Sequence, residues 1–163
     1  MYIEDKYWNN YIGGTDDSLT LVEYLARKQK EEISVGEIFE DFELDTLNNN
    51  FKNQETSLLF VISTEYMEIC YAIDLITDLA ALLLECKINR TVNLCELYGG
   101  DFEECYIPDI CITATPKEHE LINKVLMDFA SAPLTYDLNE MVPEKDMLEM
   151  AVVCENLRKE LYE

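Results

Sequence analysis

The chain has 163 residues and is 48% hydrophobic, enough to bury a core and too apolar for a disordered acidic tail. Twelve Lys and Arg stand against 34 Asp and Glu, a formal net charge of −22. That sign disfavours nucleic acid and anionic membrane as partners and favours something basic.

The N-terminal residues MYIEDKYWNN lack the pattern of a signal peptide, and residues 1–16 read as irregular and aromatic-rich, closing on Gly13-Gly14. A helix is expected from Asp16 or Asp17, acids that suit a helix start. Leu21, Val22, Leu25 and Ala26 form its inner stripe, and Arg27, Lys28 and Lys30 its basic end. Ser34 and Glu37 form an S-x-x-E capping box for a short helix to about Phe42, and Asn48 to Asn50 signal a turn. Residues 57–63, SLLFVIS, read as a buried strand.

A long helix is expected over 66–88, with Ile69, Ile73, Ile76, Leu79 and Leu83 on one side and Asp74, Asp78 and Glu85 opposite. Residues 91–97 and 105–114 read as strands, and Pro108 places the second at an edge or marks an irregularity in it. Pro116 opens a helix burying Leu121, Ile122, Val125, Leu126 and Phe129. Pro143 opens the last, burying Met147, Met150, Ala151, Cys154, Leu157 and Leu161. The expected fold is therefore α+β: one domain over 1–163, with a small, mainly antiparallel sheet packed against about five helices in a single-layer core.

Catalytic patterns are sparse. The six cysteines form no CxxC pair and His119 is the only histidine, so zinc of common spacing is disfavoured and the thiols read as buried and reduced. There is no G-x-S-x-G and no phosphate loop; Gly13-Gly14 and Gly99-Gly100 read as turns. Asp74 and Asp78 are four residues apart and could hold a metal or act as an acid–base pair. With Glu85 they more simply form the solvated face of a mostly buried helix. No catalytic residue, cofactor or metal is assigned.

Two acidic clusters point to binding instead. Residues 31–45, EEISVGEIFEDFELD, hold seven acids and no base, although Val35, Ile38, Phe39 and Phe42 recur at helical spacing. Glu40 and Asp41 lie at the negative pole of that helix, where each anion costs about 0.3–1 kcal/mol. Glu43 and Asp45 add repulsion just beyond. The second cluster, Asp101, Glu103, Glu104 and Asp109, is interleaved with Phe102 and Tyr106. Acids steer and aromatics anchor, so Glu40, Asp41, Glu43, Asp101, Glu103, Glu104, Tyr106 and Asp109 are the expected partner-binding residues.

The run YWNNYIGGTDDSLTLVEYLARKQKEEISVGEIFEDFELDTLNNNF (7–51) resembles bacterial toxin-immunity proteins, above all those of contact-dependent growth inhibition systems. The likeness lies in Tyr11 to Gly14, Asp17-Ser18, Glu23 to Leu25 and Ile33 to Phe42; YAIDLITDLAALLLEC (71–86) adds to it. The resemblance implies a cytoplasmic, non-enzymatic protein that binds and neutralises one cognate toxin domain. In these systems the toxin is commonly a nuclease with a basic surface, and some relatives accept a toxin β-hairpin by strand addition. Neither nucleic acid nor membrane is an expected partner, and the oligomeric state is left open. Two other readings stand beside it. One is an acidic adaptor or DNA mimic that binds several basic proteins. The other is a small enzyme using the acids of the long helix, which requires a pocket holding two carboxylates of raised pKa.

Overall fold

A computed structural model describes residues 1–47, 49–53, 58–62, 65–99 and 108–163. In chain order these residues form α1 (Tyr2–Lys6), α2 (Asp16–Lys28), β1 (Glu32–Ser34), α3 (Val35–Asp41), β2 (Leu58–Ile62), β3 (Glu65–Ile69), α4 (Ala72–Asn89), β4 (Val92–Asn93), α5 (Leu94–Tyr98), β5 (Asp109–Thr113), α6 (Pro116–Ser131) and α7 (Glu144–Tyr162). Short 3-10 turns occupy Leu44–Leu47, Pro133–Thr135 and Asp137–Glu140. The fold is α+β. Its three-stranded sheet, in the order β1-β5-β4, is mixed rather than mainly antiparallel: β1 runs parallel to β5 and β4 antiparallel to it. The strands β2 and β3 form a separate antiparallel pair.

The helices expected from periodicity are present, and local chemistry sets their ends. Thr15, not Asp16 or Asp17, caps α2; its side chain accepts from the Ser18 N–H and the Ser18 hydroxyl answers at the Thr15 N–H. Thr115 and Glu118 make the same reciprocal pair at α6, behind Pro116. At α3 only half of the expected box forms: Ser34 accepts from the Glu37 N–H, while the Glu37 carboxylate turns to lysines.

The long central helix begins at Ala72, not at 66. Met67 and Ile69 are buried while Glu68 is exposed, an alternation of period two, so residues 65–69 are a strand paired with β2. The expected strand over 91–97 pairs only at Val92 and Asn93; the Asn93 side chain then accepts from the Glu96 N–H and starts α5. The strand β5 is central rather than an edge, because β1 and β4 flank it, and the Pro108 carbonyl accepts from the Leu94 N–H. Residues 105–107 of the expected strand lie outside the described residues.

Every residue from Ala72 to Glu85 is buried. The helices α1, α2, α6 and α7 all pack on α4. Leu75, Ile76, Leu79 and Leu82 are inaccessible, each burial contributing about 1.5–3 kcal/mol. The N-terminal residues are irregular only beyond α1, with turns and an isolated bridge over 7–15, yet Ile3, Tyr7, Trp8 and Ile12 are buried in the same core. Tyr2 and Tyr7 both donate to Glu160 on α7, which also pairs with Lys6. Among the described residues five cysteines are free thiols, with Cys154 buried and Cys70, Cys86, Cys95 and Cys111 half-buried; Cys105 lies outside the described residues. Among the described residues no helix is long and apolar enough to cross a membrane.

Candidate functional site

The corner where α2, β1 and α3 meet carries the first acidic cluster. Gln29 ends α2 in the left-handed region (φ 53°), and the chain turns back so that Lys28 and Lys30 meet the acids that follow. The Asp41 carboxylate accepts from the Tyr24 hydroxyl at 2.5 Å and from Lys28 Nζ at 2.9 Å. Burial, followed by the adjacent Asp41 charge, drives the Tyr24 phenol far above its usual range. Glu37 takes Lys30 at 2.5 Å, and its other oxygen faces Lys28 at 3.8 Å. Two of the seven acids are thus matched by the preceding lysines. Asp41 holds α3 against α2 and offsets its cost at the negative helix pole. Of the acids over residues 31–43, Glu31, Glu32, Glu40 and Glu43 are exposed. Glu43 stands at φ 52°, a strained position for a residue with a Cβ, directly after α3.

Of the second cluster, Asp101, Glu103, Glu104 and Tyr106 lie outside the described residues. Asp109 is exposed at the first position of β5 and accepts from the Asn93 side chain at 3.1 Å. Parallel pairing aligns Glu32 with Cys111, and the Cys111 N–H donates to the Glu31 carbonyl at 2.8 Å. Asp109 therefore sits at the same end of the sheet as Glu31. The register brings Asp109 to the end of the sheet where Glu31 and Glu32 lie, far from it in sequence.

The acids of α4 are not a solvated face, contrary to expectation. Asp74, Asp78 and Glu85 are only 4%, 1% and 1% exposed. The N-terminal segment and α2 cover them. Glu85 accepts from the Ile3 N–H at 2.8 Å and from the Asn89 side chain at 2.6 Å. Asp78 accepts from the Gly13 N–H at 3.0 Å, while its second oxygen has no partner. Asp17 accepts from the N–H groups of Cys70 and Tyr71, at 2.8 and 3.0 Å, and shares a hydrogen bond with Asp74. Burial pushes both α4 aspartates up, Asp78 to about 7, and the neighbouring Asp78 and Asp17 charges push Asp74 further. These are raised carboxylates, but they line none of the four clefts described in the fold. The geometry is that of a clamp closed on backbone N–H groups.

His119 lies beside a cleft of about 680 Å³ that also reaches Cys86, Cys111 and Tyr162. Its Nδ1 is 3.0 Å from the Tyr162 hydroxyl, with the rings edge to face. Burial raises the Cys86 thiol to about 11, which disfavours the nucleophilic thiolate. Among the described residues no group of three or more His, Cys, Asp or Glu is placed to hold a metal ion. A larger groove, about 720 Å³, runs between α6 and α7 and is lined by Met127, Leu148 and Val152. Sequence reading passed over this groove because it followed only the inward positions of both helices.

Across residues 2–161 the chain matches a family model described as Immunity protein 68. No curated protein and no solved structure matches it.

Proposed function

We infer that this chain, which belongs to the Immunity protein 68 family, blocks a nuclease toxin by laying its acidic corner over the toxin's basic surface. Family membership carries the coarse function, neutralisation of a cognate toxin. The finer reading makes this an inhibitor that acts by occlusion, without catalysis, in the cytoplasm. One observation carries it: the parallel β1–β5 register pairs Glu32 with Cys111, so exposed Glu31 and Glu32 lie at the end of the sheet where β5 begins at Asp109, with Glu40 on the helix that packs against β1 and Glu43 just beyond it. A nuclease site is built to attract phosphates. Carboxylates laid over it replace the phosphate charge, and their field speeds encounter. Asp41, held by Tyr24 and Lys28, positions this corner; Glu31, Glu32, Glu40, Glu43 and Asp109 present the charge. Asp101, Glu103, Glu104 and Tyr106 belong to the same proposal by sequence.

Strand addition fits the same corner, since among the described residues β1 pairs on one side only. The test is association kinetics with the cognate toxin domain. The double reversal Glu40→Lys with Glu43→Lys should lower k_on at least tenfold at low salt while changing k_off little. Added salt should slow the parent protein toward the variant. Equal rates for both proteins at every salt concentration would sink charge steering and leave pairing along β1.

A further inference from the structure

We propose that the outer face of α6 and α7 is a self-association surface, taken by the same face of a second copy of this chain. Eight large hydrophobic side chains are exposed among the described residues, and four of them gather here: Met127, Leu134, Leu148 and Val152. Val152 is 61% exposed and lies one turn from Leu148. These side chains line or flank the groove between the two helices. Clustered exposure of this kind marks an interaction surface, whereas scattered apolar residues do not.

Charge identifies the occupant. Together α6 and α7 carry five basic and eight acidic residues, a net of −3 in a chain of −22. Lys117, Lys124, Lys145 and Lys159 are all exposed. Three acids near the groove are engaged within the chain: Asp128 accepts from Tyr136 at 2.7 Å, Glu149 from Tyr11, and Glu155 from Arg158 at 2.7 and 2.8 Å. A basic toxin would meet lysines here. A second copy meets a face less negative than the rest of the chain on average, since most of the −22 lies elsewhere and is screened beyond about 8 Å at physiological salt. Two adjacent helices about 10 Å wide and about 24 Å long offer roughly 500 Å² per copy. The total of about 1,000 Å² sits at the lower bound for a specific interface, so the dimer is weak and depends on concentration.

Sedimentation equilibrium on the full chain tests this, at low and high salt over a wide concentration range. The weight-average mass should climb toward twice the monomer value. High salt should strengthen the dimer, by screening the residual repulsion. Val152→Glu and Leu148→Glu, both at exposed positions, should weaken association at least tenfold with unchanged circular dichroism. Leu19→Glu alters an equally exposed leucine on α2 and should dimerise like the parent. A parent chain that stays monomeric throughout overturns the proposal. So does a Val152→Glu variant that associates normally, or a Leu19→Glu variant that fails to.

Discussion

Replacing Asp74 by Asn should change how stability responds to pH, and in a counter-intuitive direction. Asp74 is 4% exposed and faces Asp17, whose two oxygens already accept backbone N–H groups. A neutral Asp74 donates a hydrogen bond to Asp17; an ionised one repels it. The folded chain therefore takes up a proton at Asp74, because burial and the neighbouring Asp78 and Asp17 hold this carboxyl far above its value of 3.8. A carboxyl raised on folding contributes stability that is complete below the unfolded pKa and is lost as pH rises toward the folded one. One proton gives a slope of about 1.4 kcal/mol per pH unit. Between pH 4 and pH 7 that amounts to about 4 kcal/mol of lost stability, the upper limit of what Asp74→Asn can recover. The amide donates to Asp17 without any proton uptake. Asp78, raised to about 7, keeps its own slope below neutrality in both proteins. Urea unfolding at pH 5, 6, 7 and 8 and fixed ionic strength measures the difference. The variant should gain on the parent by about 1.4 kcal/mol for each unit up to pH 7, and be the more stable protein at pH 7 and 8. Parallel pH profiles, or a variant equally weakened at every pH, would show that Asp74 is ionised in the folded state and refute the reasoning.

Gly13 stands at φ 77°, and a Cβ there would lie 2.0 Å from the Trp8 indole. Gly13→Ala should cost about 2–4 kcal/mol, combining left-handed backbone strain with displacement of a buried ring, and should appear as a lower Tm. Tyr24→Phe removes the hydroxyl that donates to Asp41, a charge-assisted bond worth about 1.5–3 kcal/mol. Urea unfolding should show that loss, while k_on for the toxin stays within twofold because the corner keeps its net charge.

The outer helices were legible because their signals are local. Pro116 and Pro143 mark the two starts, and the apolar spacing of α6 and α7 names buried residues correctly apart from Leu121, which is half-buried. The start of α4 was not, because EYMEIC joins a helical pattern without punctuation and only its pairing with β2 makes it a strand. The helix α5 had a readable signal in Asn93 and Glu96, three residues apart, which the β-branched Thr91 and Val92 obscured. The larger misreading concerned Asp74, Asp78 and Glu85. Periodicity tells which side of a helix is polar, not whether another segment lies across it. The matching of Glu37 and Asp41 by Lys28 and Lys30 was equally hidden, since it depends on the reversal at Gln29. The placing of Asp109 at the same end of the sheet as Glu31 and Glu32 depends on a parallel register that no local pattern encodes.

Glu85 and Asp78 grip the chain's first turns by main-chain amides, at Ile3 and Gly13. Such fastening is blind to side-chain identity but strict about spacing. The nine residues between the two rivets can be exchanged wherever packing allows without loosening either one. Removing a single residue from that interval would shift the second amide by about 3.8 Å and strand Asp78 without its donor. The leading segment should therefore tolerate replacement far better than it tolerates a change of length.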